Sequence, residues 1–430
     1  MPISLTKIKH LNYLLDDMAI RHNDLRAVAF QRQEQKRRKF KLSMGKTISR
    51  KKRLSQYYTN RDVAEMLISS LPSDEASTII DLSAGEGSLL MTAALKYDNV
   101  KLYGIDIDDE NCRKLDLLQN TTSICLDATH SASFDKIKAH NSTYDIVIGN
   151  PPFYTAEHTD YTRGLFKEWA LNHKTKYYRA EILFLMLSLK LLDRDSSCGI
   201  VVPDTIFSSE KYKPLREKIT SLFKYIDVIE LDNKAFLGTE ARTHILTVSN
   251  KKSISPSITT RSSKKIKAIR LNKEEFIERA DHQYNSFKNN NNEKTIETSG
   301  IKVMRGNISK TKKTQLHDAI IHSSSFYNDY SLFENNNDRA ENGSAVQAVK
   351  GDVVVPRVGT RCLGKVGIIR NGSFSITDCV FVIKASEYQC GEMVAEALKS
   401  KFGVDWIKSI SKGIGAQYIT LNDIKKLPLR

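Results

Sequence analysis

The stretch Tyr144-Asp145-Ile146-Val147-Ile148-Gly149-Asn150-Pro151-Pro152-Phe153 carries the most specific chemistry in the chain. An apolar run leads straight into Asn-Pro-Pro-aromatic. Pro152 fixes its own φ and restricts Pro151 to an extended conformation, so the Pro151 carbonyl is held toward the space beyond the run. The Asn150 side-chain oxygen and that carbonyl can then both accept from one planar NH2 group. An amine attached to an aromatic ring is a poor nucleophile, because its lone pair is delocalised. Two acceptors placed for a pyramidal nitrogen stabilise the geometry in which that pair can attack. Rate then comes from orientation and preorganised dipoles, with no deprotonated base required. Phe153 offers a face on which a base turned out of its helix can stack.

A second constellation precedes it. Ile79-Ile80-Asp81-Leu82-Ser83-Ala84-Gly85-Glu86-Gly87-Ser88 has the pattern of a strand entering a glycine turn that opens a helix. Gly85 and Gly87 let the backbone pass close to a ligand where a Cβ would collide. Asp106 follows about twenty positions on, and a carboxylate at a strand end can accept both hydroxyls of a ribose. The pattern suits NAD and S-adenosylmethionine alike. Leu90 stands where the dinucleotide fingerprint has its third glycine, which favours the methyl donor, since that molecule has no pyrophosphate to cradle. Asp127 ends the next short apolar run and could accept from an adenine amino group. Asp81, Asp106 and Asp127 thus form a series along the carboxyl edge of a parallel sheet, where such folds bind ligands.

The elements that would position these residues alternate. Residues 62–71 have helical spacing, and Thr78–Leu82, Lys101–Ile107, Ile124–Leu126 and Tyr144–Ile148 read as short strands. Ala180–Leu192 is apolar on most faces and reads as a buried helix. Further strands are expected at Gly199–Val202, Tyr225–Leu231 and His244–Val248. Strands alternating with helices imply an α/β fold, a mainly parallel Rossmann-like sheet with helices on both faces. After about residue 250 the texture changes. Lys251–Lys265 is rich in Ser, Thr and Lys, and the asparagine runs Asn289–Asn292 and Asn335–Asn337 read as linkers or mobile loops. Asp352–Val355, Val366–Ile369 and Val380–Ile383, with helical Met393–Lys399, predict a smaller α+β domain. The divisions expected are a basic, mainly helical arm over 1–56, a catalytic domain over 57–275 and a second domain over 276–430.

The chain holds 66 Lys+Arg against 50 Asp+Glu, a formal charge of +16 in 430 residues. Residues 1–56 alone hold 15 Lys/Arg and 4 Asp/Glu, so +11 of it lies in the arm. Such an excess favours polyanions, with Arg37, Arg38, Lys51 and Lys52 as phosphate candidates in the densest runs. No stretch approaches the roughly 18 apolar residues of a membrane helix, and nothing near the start resembles a signal peptide. The six cysteines show neither CxxC pairing nor zinc spacing, so a reducing cytoplasm is expected and no metal site is.

With Asn150–Phe153 following the glycine turn, the chain resembles the S-adenosylmethionine-dependent amino-methyltransferases of the adenine-N6 type. The motif order matches their gamma arrangement, and the layout is nearest to the Taq-type restriction-modification enzymes. The resemblance implies that Tyr58 and Thr59 contact the donor's methionine end, that Asp81, Ser83, Ala84, Gly85 and Gly87 hold its methionine part, and that Asp106 with Ile107 and Asp127 with Ala128 hold its ribose and adenine. It implies that Asn150, Pro151, Pro152 and Phe153 bind and activate the target adenine, and that Phe236 in Ala235-Phe236-Leu237-Gly238 stacks on its other face. Gly351–Thr360 with Leu363–Gly367, and Gly413–Thr420 near the end, resemble the target-recognition modules of type I specificity subunits and Taq-type enzymes. That implies duplex DNA as partner, with Arg305 and Arg357 among its contacts, and cleavage, if any, by a separate endonuclease. An RNA adenine methyltransferase would share the catalytic residues, and a non-catalytic recognition subunit would have no need of Asn150–Phe153.

Overall fold

The computed structural model describes residues 59–232, 242–264, 267–287, 294–309, 319–336, 345–413 and 417–429. The chain divides into two units, residues 1–56 and 57–430. The basic arm with Arg37, Arg38, Lys51 and Lys52, and also Tyr58 and Phe236, lie outside the described residues.

The first helix among the described residues, α1 (Arg61–Ser70), starts where the Asn60 side chain accepts from the Val63 amide. Then come β1 (Thr78–Asp81), α2 (Ser88–Lys96), β2 (Lys101–Asp106), α3 (Asp109–Leu115), β3 (Thr121–Cys125), α4 (Ser131–His140) and β4 (Ile146–Gly149). A hairpin of β5 (Thr155–Glu157) and β6 (Tyr177–Arg179) encloses α5 (Asp160–Glu168) and leads into α6 (Ala180–Lys190). The remaining elements of this half are β7 (Ser197–Pro203), α7 (Thr205–Ser208), α8 (Lys213–Leu222), β8 (Tyr225–Glu230), β9 (Thr243–Ser249), β10 (Ser257–Ser262), β11 (Ile269–Arg270), α9 (Lys273–Glu278) and α10 (His282–Phe287).

One nine-stranded sheet runs in the order β11-β10-β8-β9-β7-β4-β1-β2-β3. Only β9 and β11 run against the other strands. Successive side chains leave a strand on opposite faces, and two apolar cores divide them accordingly. Ile80, Val147, Ile200 and Val228 join the core under α5, α6 and α8, whereas Ile79, Ile146, Val201 and Ile229 join the core under α1 and α2. A sheet covered on both faces explains why its central strands are continuous apolar runs. Ala180 through Leu189 are all buried, as the apolar run predicts. The polar β10 is a strand that the sequence did not suggest; Thr260 at its centre is fully buried.

Beyond α10 lie β12 (Val303–Arg305), β13 (Ile320–Ile321), β14 (Tyr330–Glu334), β15 (Gln347–Val349), β16 (Val353–Pro356), β17 (Val366–Asn371), β18 (Ser373–Ile376) and β19 (Val380–Ile383). They form a five-stranded sheet, β12-β19-β16-β17-β14, and a three-stranded one, β13-β18-β15. Three helices follow, α11 (Tyr388–Lys399), α12 (Lys401–Ile410) and α13 (Leu421–Lys425), and they pack on a core of their own with Val353, Phe381 and Trp406.

Two buried arginines join the halves. Arg242 donates to the carbonyls of Lys408 and Ser411 at 3.4 and 3.3 Å, and Arg279 to those of Ser409 and Ile410 at 2.7 and 3.2 Å. Ser409 and Ile410 are the last two residues of α12 and Ser411 is its C-cap, so the guanidinium groups lie at the negative pole of the helix dipole. Arg279 also pairs with buried Asp281 at 2.5 Å and stacks 4.5 Å over the Tyr284 ring.

Candidate active site

Asp81, Asp106 and the loops after β3 and β4 all open at one edge of the sheet, because β1 to β4 are parallel. The turn after β1 is built by its glycines. Gly85 has φ +56° and Gly87 has φ +83°, left-handed values that favour glycine. A Cβ on Gly87 would also lie 2.8 and 2.9 Å from Leu118 and Leu115 side-chain carbons, whereas one on Gly85 would meet nothing within 4 Å. The first glycine therefore leaves open space, and the second admits packing of the loop after α3.

Asp81 and Asp106 brace this turn from below. Asp81 Oδ1 accepts from the Ser83 amide at 2.8 Å. Asp81 is 1% exposed, and that burial pushes its carboxyl up to about 7 despite the Ser83 hydrogen bond. Asp106 Oδ2 accepts from the Gly85 amide at 2.8 Å, and its Oδ1 from the Asp108 amide at 2.8 Å and Asn111 Nδ2 at 3.2 Å. A carboxylate has about four acceptor positions, so three serve the protein's own turn and one remains for a hydroxyl. Burial raises its pKa as well. Asn111, in the first turn of α3, is a residue that the sequence did not suggest; its signal is an amide five positions after the strand-end acid. Asp127 Oδ1 accepts from the amide and hydroxyl of Thr129 at 2.9 and 2.6 Å. Between these acids Ile107 is 58% exposed, an apolar side chain presented at the strand edge, while Ala128 is buried.

β4 lies beside β1 with Ile148 opposite Asp81, which brings Asn150 next to the turn. Asp81 Oδ1 would lie 3.7 Å from a Cβ on Gly149. Thr59 links the two constellations. Asn150 Nδ2 donates to its hydroxyl at 3.0 Å, and the Ser88 hydroxyl at the start of α2 donates to its carbonyl at 3.2 Å. With the amide nitrogen turned to Thr59, Oδ1 is the acceptor end. Pro151 is buried, and Pro152 and Phe153 are half-buried.

Past Phe153 the structure adds residues that the sequence did not suggest. The Tyr154 carbonyl accepts from the Ala180 amide at 2.9 Å, at the head of α6. The next residue, Glu181, is buried; its Oε1 accepts from Arg179 Nε at 2.8 Å, and its Oε2 has no hydrogen-bond partner among the described residues. Burial raises its pKa. The only visible signal was one acid inside an otherwise apolar run. Arg305 and Arg357 stand together, both donating through Nε to the Asp378 carbonyl, at 3.1 and 3.0 Å. Burial and the neighbouring Arg305 charge lower the Arg357 pKa.

A protein family described as N-6 DNA Methylase matches residues 43–336. The type II methyltransferase M.CvrRI of Paramecium bursaria Chlorella virus XZ-6E is 21% identical over 216 residues, 48% of this chain and 54% of its own. The rRNA N(6)-adenosine-methyltransferase metl-5 of Caenorhabditis elegans is 29% identical over 110 residues, 24% of this chain and 51% of its own. The chain thus spans about half the length of these curated relatives. Among solved structures, the methyltransferase subunit of a type I restriction-modification system from Streptococcus thermophilus superposes with a TM-score of 0.41 at 18% identity, over 49% of this chain and 48% of that one. No helix of the described residues is long and apolar enough to cross a membrane.

Proposed function

The chain belongs to the N-6 DNA methylase family, and from that premise we propose that it transfers a methyl group from S-adenosylmethionine to N6 of an adenine in duplex DNA. The observation that carries the proposal is the Thr59 link, which ties Asn150 to the head of α2 beside the glycine turn.

The residues fit the donor. The open face at Gly85, the exposed Ile107 and the remaining acceptor position of Asp106 suit an adenosine, and the buried Asp81 carboxyl suits its cationic amino-acid end. When bound, S-adenosylmethionine supplies an electrophilic methyl group. The chain's own part is positional. Asn150 Oδ1 and the Pro151 carbonyl accept the two hydrogens of the target amine and hold its lone pair out of conjugation. Phe153 stacks on the turned-out base, and the surplus amine proton passes to water. The described half-buried Phe153 leaves the stacking face within reach of the edge; Phe236 is the proposed second face.

Residues 57–275 are proposed as the catalytic domain, 276–430 as the target-recognition domain with Arg305 and Arg357 near the duplex, and 1–56 as a phosphate-binding arm. A restriction endonuclease on a separate polypeptide is the partner such a modification enzyme implies.

The test is incubation of the full chain with methyl-labelled donor and either plasmid DNA or total RNA, followed by digestion to nucleosides. Label is expected in N6-methyldeoxyadenosine; label confined to the RNA arm overturns the DNA assignment. Asn150→Ala is expected to lower the methylation rate at least ~10²-fold, as loss of one preorganised dipole does, while donor affinity stays near that of the parent.

A further inference from the structure

A cavity of about 830 Å³ lies far from the catalytic edge. It is rimmed by Arg194, Lys224, Lys252, Arg270 and Lys273, all exposed, and no carboxylate lines it. Its apolar lining comes from Leu222, Phe223, Ile258 and Leu271. Lys224 immediately precedes β8, Arg194 precedes β7, and Arg270 ends the antiparallel β11. The rim therefore sits at the amino ends of the parallel strands, and the catalytic residues at their carboxyl ends. With β7 seven residues long, the two edges are roughly 20 Å apart.

That separation exceeds the Debye length of about 8 Å at physiological salt, so these cations do little for a ligand at the catalytic edge. They also have no ion-pair partner of their own, since none of the five is in a salt bridge among the described residues, although the rest of the surface pairs many of its charges. A surface kept charged for solubility interleaves both signs. Five like charges around an apolar depression instead match the phosphates of a polyanion laid across the rim.

We propose that this back-edge cavity is a second nucleic-acid site, holding the phosphodiester backbone of a DNA segment other than the one being modified. The identity of the polyanion as DNA rests on the proposed methyltransferase function; the cationic rim does not. Contacts of this kind release counterions and carry no sequence preference.

The test compares the full-length protein with the K224Q/K252Q/R270Q variant, using anisotropy of a labelled non-target duplex across a potassium chloride series. The labelled duplex is a G·C-only segment, which offers no adenine to the catalytic edge. If three phosphate contacts are lost, binding is expected to weaken roughly 10- to 100-fold at about 0.1 M salt, with the slope of log K against log salt shallower by about 2 to 3. The charge-conserving K224R/K252R/R270K variant is expected to restore both. Unchanged affinity and slope overturn the site, and so does failure of the charge-conserving variant to rescue, which would mark the effect as structural. Preferential capture of anionic phosphatidylserine vesicles over duplex overturns it in favour of a membrane surface. Methylation of the target duplex is followed in parallel, and both variants are expected to retain it. Absence of methylation in the parent protein counts against the proposed function alone, since the anisotropy series still decides the cavity.

Discussion

Asn150 and Asp81 show what residue type dictates and what it does not. The Asn-Pro-Pro-Phe run was legible because few other reasons place an amide and two rigid carbonyl-bearing rings at a strand end. The Thr59 link was not, because its partners lie 91 and 29 positions away; the sequence offered Thr59 only as a donor contact. The fate of Asp106 was equally hidden, since only the folded turn shows that most of its acceptor capacity goes to Gly85, Asp108 and Asn111. Asp81 carries a pH prediction. Its carboxyl is raised to about 7 by burial, so the folded chain holds a proton there that the unfolded chain releases near pH 4. Stability without donor should fall as pH climbs from about 4 through 7, because the native state binds more protons over that window. Donor binding beside an ionised Asp81 should run the other way, rising by up to about tenfold per pH unit below 7 and levelling above it. Calorimetric donor titrations across this range check both the slope and its disappearance in Asp81→Asn.

Among the elements, the turn into α2 is the most constrained. Gly87→Ala imposes a left-handed backbone on a residue with a Cβ and drives that carbon against Leu115 and Leu118. A loss of about 2–4 kcal/mol is expected, visible as a lower urea midpoint with an unchanged m-value. Gly85→Ala lacks the collision and should cost less in stability, while its effect on donor affinity reports how closely the ligand passes. The central strands were readable because burial on both faces writes them as apolar runs, and α6 for the same reason. β10 escaped because it lies near the sheet's margin, between β8 and the short β11, where Ser and Thr serve as well as Val.

At the scale of the whole molecule, the two halves keep separate sheets, and α10 carries Tyr284 and Phe287 into the C-terminal core beside the buried polar joint. Arg279→Met would leave Asp281 buried without its cation, at an expected cost of about 3–5 kcal/mol. Thermal unfolding should show the loss as a lowered midpoint. The charge excess foretold a polyanion but not a second basic rim at the far edge, because that rim draws its cations from positions 194 to 273, which no local window brings together.

The guanidinium groups of Arg242 and Arg279 hold the last turn of α12 as a bracket holds a ruler. If the sheets and helices beyond α10 recognise the duplex, the offset in base pairs between the recognised letters and the methylated adenine is a constant of this scaffold. Grafting foreign recognition loops onto the C-terminal half would then change which letters are read and leave that offset untouched.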